Sequence, residues 1–148
     1  MKKASPRILE AGHDTDLYRA MVALRSEVLR KPLGLSFTAE QLREEANQRH
    51  LALMVEGSLA GCLLLAPEEG RIVKFRQMAI APCNRGKGLG KELLLHAETI
   101  AMQNGYRGVR LHARESAAGF YEKMGYRRVG ERFIEVTIPH VKMQKELA

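Results

Sequence analysis

A short segment from Arg85 to Lys91 carries three glycines and three cations in the sequence RGKGLGK. Glycines allow the backbone to approach a ligand closely, and the cations add positive charge around it. An amphipathic helix begins inside this segment, so the unpaired N–H groups of its first turn face the same place. These features indicate a site for a phosphorylated ligand. The residues of this glycine loop are Arg85, Gly86, Lys87, Gly88, Leu89, Gly90 and Lys91.

Two well-known phosphate-binding motifs fail at individual residues of the glycine loop. A Walker A loop needs Ser or Thr after its Gly-Lys pair, but Gly90-Lys91 is followed by Glu92. A dinucleotide fingerprint has the spacing G-x-G-x-x-G near the first strand, whereas these glycines follow a later strand with the spacing G-x-G-x-G. What remains is R-x-x-G-x-G from Arg85 to Gly90, which alone fits either a phosphate site or a plain glycine-rich turn.

The elements that must position this loop follow from hydrophobic spacing and turn residues. Apolar positions spaced by three and four predict a first helix that begins at Asp14 or Thr15 and stops near Pro32 and Gly34. Thr38–Gln41 fits a capping box for a second helix, which we expect to run to about Gln48. Further helices are predicted at 88–104 and 116–124. Strands are predicted at 7–9, 50–56, 59–66, 72–80, 108–112, 126–133 and 135–143.

This order mixes hairpins with crossover helices, which predicts a mixed rather than purely parallel sheet. We expect an α/β fold of the α+β type, with a central twisted sheet of six to seven strands flanked by about four helices. No repeat or linker interrupts the chain, so residues 1–148 are expected to form a single domain.

Two further segments carry a family resemblance. Ala117–Tyr126 (AAGFYEKMGY) resembles the A-x-x-F-Y-x-x-x-G-[FY] signature of the GNAT-type N-acetyltransferases, in which an R-x-x-G-x-G loop precedes it. Phe133–Met143 resembles the F-x-E-x-x-I-P-H-x-x-M ending of the ElaA-like bacterial subgroup. The resemblance covers nearly the whole chain and is most specific over Val73–Gly130. Arg114 departs from the family pattern, which commonly has Asn at that position.

The resemblance implies a site for acetyl-coenzyme A (acetyl-CoA). In this family the glycine loop binds the pyrophosphate, and the pantetheine arm pairs with the backbone of the preceding strand, here Met78, Ala79 and Ile80. Ala117 and Phe120 would complete the cofactor site. Tyr121 is the expected general acid, because a phenol with a pKa of about 10 can protonate a thiolate whose conjugate acid titrates near 8.5.

The resemblance is less informative about the acceptor, which we expect to be a small-molecule or peptide amine. Glu135, His140 and His112 are candidates for the base, and a structural pair or a water relay fits these residues equally well. For the apolar loop Leu29–Phe37 there are two alternatives. It is expected either to pack in the core under a bend or to form a wall of the acceptor pocket. On the second alternative the acceptor site includes Arg25, Leu29, Leu33, Glu135 and His140.

Composition limits the possible partners and location. The net charge is +7, which fits nucleic acid, a polyanionic cofactor or an acidic substrate, yet only 5% of residues are aromatic, so nucleic acid is not expected. No apolar run approaches the roughly 20 residues of a membrane span. Cys62 and Cys83 form neither a disulfide framework nor a metal site, which favours the cytoplasm.

Together these features predict an N-acetyltransferase that moves an acetyl group from acetyl-CoA to a primary amine within a ternary complex. The alternative is a non-catalytic module with the same fold that binds acyl-CoA. A homodimer is expected by analogy with the family.

Overall fold

Seven strands form one mixed sheet in the computed structural model, which describes residues 6–147. The strands are β1 (Arg7–Ala11), β2 (Arg49–Val55), β3 (Ser58–Pro67), β4 (Ile72–Ile80), β5 (Gly108–Arg114), β6 (Arg127–Glu135) and β7 (Ile138–Glu146). The helices of this part of the chain are α1 (Asp16–Arg25), α2 (Ala39–Arg43), α3 (Leu89–Gln103) and α4 (Ala118–Lys123). Within residues 6–147, no helix has the length and apolar character needed to cross a membrane.

The strand order across the sheet is β1-β2-β3-β4-β5-β7-β6. β4 and β5 run parallel, and the other neighbouring pairs of described strands run antiparallel. The predicted mixed sheet of six to seven strands with about four helices is confirmed. The parallel pair is joined by the crossover helix α3, as parallel strands require.

Strand alternation sends side chains to two faces of the sheet, and a different helix packs on each. On the first face, α3 buries Leu93 and Leu94 against positions such as Leu111 of β5. On the second face, α1 buries Met21 against Cys62 of β3. The two faces are called below the α3 face and the α1 face.

The first helix ends earlier than its apolar spacing predicts. Its α-helical part stops at Arg25, and the chain continues as a π-helical turn over Ser26–Arg30 and a 3₁₀ turn over Lys31–Leu33. Pro32 has no N–H to donate to the carbonyl four residues earlier, so a regular α-helix cannot continue. Gly34, with φ of 71°, then ends the segment.

The second helix begins as predicted and is shorter than predicted. The capping box is present, because Gln41 N donates to Thr38 Oγ1 (3.1 Å) and Thr38 N donates to Gln41 Oε1 (2.9 Å). The expected extension to about Gln48 is wrong, since α2 ends at Arg43 and tighter i→i+3 bonds follow. These turns bring Glu45 into the interior.

The last hairpin differs most from the sequence-based prediction. A strand was expected to begin at Glu135, whereas Val136 and Thr137 form a two-residue turn between β6 and β7, with φ of 43° and 70°. Strand pairing continues to Glu135 opposite Ile138, so two residues must close the hairpin, and such turns need positive φ at both. This conformation is strained for β-branched residues, and Val136-Thr137 contains none of the Gly, Asn or Asp residues that usually mark such a turn, so the turn was not predicted.

Candidate active site

The parallel strands β4 and β5 separate part-way along their length. Ile72–Phe75 of β4 pairs with Gly108–Leu111 of β5, and the pairing stops there although both strands continue. β4 stays paired with β3 as far as Ile80, and β5 stays paired with β7 as far as Arg114. A cavity of about 290 Å³ lies in the resulting V-shaped opening, lined by residues from both faces of the sheet.

A bulge at Gln77 shapes the β4 side of this opening. Gln77 has a φ of 56°, and β4 gains one residue relative to β3 between Arg76 and Ala79. After the bulge, Met78 packs toward the α3 face. Beyond Phe75, the edge of β4 that faces β5 has no strand partner among the described residues. Its backbone groups are therefore open to an extended ligand.

The glycine loop has a backbone suited to an anion. Gly86 and Gly88 adopt φ of 77° and 75°, a left-handed conformation that favours glycine. A Cβ at either position would meet open space, so backbone conformation is what requires glycine there. Gly88 caps α3 without a side chain, and the first N–H groups of the helix therefore point toward the loop. The three cations of the loop are exposed around this helix start.

Gly90 brings the loop against the two other motif segments. A Cβ built on Gly90 would lie 3.5 Å from Met78 Cε and 3.6 Å from Phe120 Cζ. The glycine loop, the end of β4 and the start of α4 therefore meet on the α3 face, although they are distant in sequence.

Tyr121 extends from α4 to the opening. Its ring packs edge-on against Phe120 and Tyr126, with centroids 5.1 and 5.8 Å away. Its hydroxyl donates to Met78 Sδ at 3.5 Å, and the side chain lines the cavity. Burial raises the pKa of Tyr121 to about 12. The phenol is therefore protonated at neutral pH and available as a proton donor.

A carboxylate between two histidines lies on the opposite, α1 face of the cavity. Glu135 Oε1 is 3.0 Å from His112 Nδ1, and Glu135 Oε2 is 3.8 Å from His140 Nε2. Burial by itself raises the pKa of Glu135, but the hydrogen bond from His112 and the nearby charge of Lys74 lower it below its usual range. The carboxyl is therefore ionised at neutral pH.

The contacts of His112 also indicate its tautomer. Arg110 Nη1 can only donate, and it lies 3.2 Å from His112 Nε2, which therefore accepts. The proton then resides on Nδ1 and is donated to Glu135. Burial lowers the pKa of His112, with Lys74 and Arg110 adding to the effect, and this favours the neutral ring. Both ring nitrogens are engaged, so His112 orients Glu135 and has no free lone pair for a substrate.

The family model described as "Acetyltransferase (GNAT) domain" matches residues 26–147. This range includes the glycine loop, the opening and α4. The chain belongs to the GNAT acetyltransferase family. The family predicted from the R-x-x-G-x-G and A-x-x-F-Y segments is thereby confirmed.

Solved structures of GNAT proteins share this fold. A provisionally named N-acetyltransferase from Lactobacillus plantarum superposes with a TM-score of 0.86 at 27% identity, covering 97% of this chain and 99% of that one. Escherichia coli ElaA superposes with a TM-score of 0.81 at 18% identity, covering 96% and 100%. A GNAT acetyltransferase from Elizabethkingia anophelis, solved with acetyl-CoA bound, gives 0.74 at 17%, covering 96% and 98%. At these identities ElaA and the Elizabethkingia protein show the fold alone.

Sequence relatives match over a shorter range. Two Bacillus subtilis proteins are 38% identical over 79 residues and 40% identical over 77 residues. The chain spans about half the length of the curated relatives it matches, 53% and 52% for these two. They support the family and leave the acceptor open.

In this GNAT domain, most of the sequence-predicted site residues lie at or beside the opening. Tyr121 lines the cavity, as do Met78, Ala117, Leu29, Glu135 and His140. Ala79 and Ile80 continue the open edge of β4. Leu33, by contrast, is not among the described residues that line the cavity.

Arg25, which was expected in the acceptor site, is not among the described residues that line the cavity. Its guanidinium is fully buried and donates to both oxygens of Glu45, at 2.8 and 2.6 Å. Its other face stacks on the Phe37 ring, 4.5 Å from the centroid. Arg25 therefore ties α1 to the chain after α2, where no ligand can reach it.

Four cations at the cavity were not predicted as acceptor-site residues: Arg30, Lys74, Arg76 and Arg114. A signal was present in the sequence, because Lys74 and Arg76 alternate with Val73 and Phe75 along β4. Such alternation predicts a charged face opposite an apolar one.

Proposed function

We propose that the protein transfers the acetyl group of acetyl-CoA to a primary amine by direct attack within a ternary complex. The observation that carries this proposal is the position of the Tyr121 hydroxyl, 3.5 Å from Met78 Sδ, at the point where β4 leaves β5. A proton donor there lies beside the open edge of β4 and near the glycine loop. A thioester sulfur placed at this point would be next to its acid.

The residues around the opening fit acetyl-CoA. The left-handed Gly86 and Gly88 and the uncapped start of α3 offer N–H donors to a pyrophosphate. The free edge of β4, from Met78 to Ile80, can bind the amides of a pantetheine arm as a neighbouring strand would. When bound, acetyl-CoA supplies the activated acetyl thioester, and a backbone N–H of Met78 is the proposed donor to its carbonyl oxygen.

The proposed transfer needs one base that accepts a proton and one acid that donates a proton. The lone pair of a neutral amine attacks the carbonyl carbon, the new C–N bond forms, and the C–S bond breaks. The surplus proton of the nitrogen passes to water or a base, and Tyr121 gives its phenolic proton to the leaving sulfur. The phenolate then recovers a proton from solvent, so the products are an amide and a free thiol.

The neutral amine is the costly species on the acceptor side. An amine with a pKa of about 10.4 is almost fully protonated at pH 7. Because the pH is about 3.4 units below this pKa, forming the neutral amine costs roughly 4.6 kcal/mol. Glu135 is ionised and oriented by His112, so it is suited to hold the ammonium group while a water chain removes the proton. In this proposal Glu135 binds the amine, and His140 lies beside that carboxylate.

Release of free thiol from acetyl-CoA, measured over a panel of primary amines, tests the proposed function. Amine-dependent release together with a mass increase of one acetyl group on the amine would support it. Tight acetyl-CoA binding without release for any amine would instead indicate a non-catalytic acyl-CoA-binding module.

We further propose that the protein acts in the reducing cytoplasm, in keeping with its free Cys62 and Cys83. The homodimer stays a prediction.

A further inference from the structure

The α1 face of the cavity is strongly cationic. Among the described residues that line the cavity, Glu135 is the single carboxylate, whereas four side chains are those of Arg or Lys. These four half-buried residues, called here the cationic cluster, are Arg30, Lys74, Arg76 and Arg114.

The strands explain why the cluster lies on one face. On β4, the neighbours Val73 and Phe75 are buried in the core under α3, so Lys74 points to the α1 face. On β5, Ala113 is buried in that same core, and Arg114 is on the opposite side. The glycine loop lies on the α3 face, so the cluster is separated by the sheet from the proposed pyrophosphate site.

The cationic cluster has no carboxylate partner within salt-bridge distance among the described residues. Arg76 Nη1 donates to the Gln48 side-chain carbonyl at 3.0 Å. Arg114 Nη2 and Arg30 Nη1 both donate to the backbone carbonyl of Leu29, at 2.8 and 3.1 Å. These acceptors are neutral, so the cations lack a direct salt bridge in the described part of the chain, and the charge of Glu135 offsets those of Arg30 and Lys74 only in part.

Arg110 shows the contrast. It lies on the same face of β5 and is ion-paired with Glu68, with Nη2 2.6 Å from Oε2. Arg110 is thus paired in a salt bridge, whereas within residues 6–147 the four cations of the cluster are not.

The surroundings of the cluster disfavour positive charge. Burial lowers the pKa of Arg30, of Lys74 and of Arg114. The neighbouring charges of Arg114 and Arg25 lower the pKa of Arg30 further, and that of Arg110 lowers the pKa of Lys74. An anion bound among these side chains would relieve both the desolvation and the mutual repulsion.

We infer that the acceptor carries an anionic group, a carboxylate or a phosphate, beside its amine. This inference rests on the proposed function, because it concerns the second substrate of the same site. The cationic cluster binds the anionic group and Glu135 binds the amine, so the acceptor is a zwitterion before reaction. Polyamines and other polycations are disfavoured, because a second ammonium group would face the cluster.

The test compares acceptors that differ in one end group. γ-Aminobutyrate, butylamine and putrescine share a four-carbon chain and a primary amine of similar basicity, and end in a carboxylate, a methyl group and an ammonium. O-Phosphoethanolamine and ethanolamine form a second set, which distinguishes phosphate from carboxylate. The expected result is a kcat/KM for the anionic member at least about tenfold above that of its uncharged counterpart, the size of one charge-assisted hydrogen bond.

Variants assign the preference to the cluster. Lys74→Gln and Arg114→Gln should each reduce the preference for the anionic acceptor and leave the KM for acetyl-CoA unchanged, whereas Arg114→Lys should retain part of it. Arg127→Gln, at an exposed position of β6, is the matched control and should keep the wild-type preference. Thermal unfolding of each variant confirms that it is folded.

The outcomes separate the inference from the proposed function. If butylamine or putrescine is acetylated as well as γ-aminobutyrate and O-phosphoethanolamine shows no advantage, the inference is overturned and the transferase function stands. A preference unaffected by both Gln substitutions would overturn the assignment to the cationic cluster. If no amine at all promotes thiol release, the proposed function fails, and the inference fails with it.

Discussion

The hydroxyl of Tyr121 lies 3.5 Å from the sulfur of Met78, although α4 and β4 are far apart in the chain. Met78 follows the bulge at Gln77, and Gly90 lies close to the end of its side chain. A single side chain of β4 is therefore in contact with both the glycine loop and the proposed acid. Met78 therefore links the two motif segments in space, although it belongs to neither.

Replacing Tyr121 with Phe should abolish most turnover. Phe keeps the packing against Phe120 and Tyr126 and removes only the proton donor, so kcat should fall by about 10²–10⁴-fold, the usual contribution of a general acid. Steady-state kinetics should show little change in the KM for acetyl-CoA. Tyr106→Phe, at another partly buried tyrosine, is the control. An unchanged kcat in Tyr121→Phe would end its assignment as the acid.

Gly88→Ala should weaken acetyl-CoA binding beyond its effect on stability. Alanine in the left-handed conformation costs about 1–2 kcal/mol. Gly34→Ala is a matched control, because Gly34 has nearly the same φ (71° against 75°) and equally open space around a Cβ. Both variants should lose similar stability in urea, and calorimetric titration should show weaker acetyl-CoA binding for Gly88→Ala only. Equal affinities would contradict the role of this loop.

Glu135→Gln should raise the KM for the amine acceptor. The amide oxygen can still accept from His112, so the local geometry is kept while the negative charge is lost. Loss of a charge-assisted contact of roughly 1.5–3 kcal/mol predicts a decrease in kcat/KM of about tenfold or more. The KM for acetyl-CoA should not change. Glu122→Gln, at an exposed position of α4, serves for comparison, and identical acceptor kinetics in the two variants would exclude the proposed contact.

The buried pair of Arg25 and Glu45 should make stability depend on pH. Burial alone would raise the pKa of Glu45, but the hydrogen bonds and charge of Arg25 lower it below 4.5. A carboxyl with a lowered folded-state pKa stabilises the protein fully above its unfolded pKa and loses this contribution as pH falls through the folded value. The free energy of unfolding should therefore decrease at acid pH.

Urea unfolding of Glu45→Gln measures this contribution. At neutral pH the variant should lose about 3–5 kcal/mol, because it leaves the Arg25 charge buried without a counter-charge. The difference in unfolding free energy between variant and wild type should narrow as pH falls below about 4.3, the ordinary pKa of a glutamate, toward the lowered folded-state pKa of Glu45. Glu10→Gln removes the exposed pair with Arg49 and should change stability by less than about 1 kcal/mol. A constant gap across pH would show that Glu45 does not titrate with folding.

The part of the site that is local in sequence was predictable. Strand β4 was predicted with both its ends, and helix α3 to within one residue of its start, because apolar spacing and glycines act over a few residues. Gly88, the predicted start, is the N-cap of α3. Gly105, with φ of 83°, follows the end of α3 as expected of a residue after a helix. These short-range signals were enough to predict the strand and the helix that carry the glycine loop.

The side of the opening around Glu135 could not be predicted in the same way, because it depends on contacts between residues that are distant in sequence. Gln77, Val136 and Thr137 adopt positive φ without being Gly or Asn. The strand residues before and after them in the chain are paired, and this pairing holds them in that conformation. Arg25 resembled a ligand-binding cation in sequence, yet its partner Glu45 lies twenty residues away. Spacing cannot indicate whether a charged residue is paired in the interior or left free in a cavity.

The short parallel junction has a consequence for the motions of this sheet. Strands β1–β4 and strands β5–β7 are hydrogen-bonded to each other only between Ile72–Phe75 and Gly108–Leu111 within the described residues, while α3 crosses between them. We therefore expect amide hydrogen exchange to show the two halves opening separately, with the short parallel junction as the boundary between them. A ligand that bridges the opening would clamp the halves, so that substrate binding slows exchange on both sides of the junction at once.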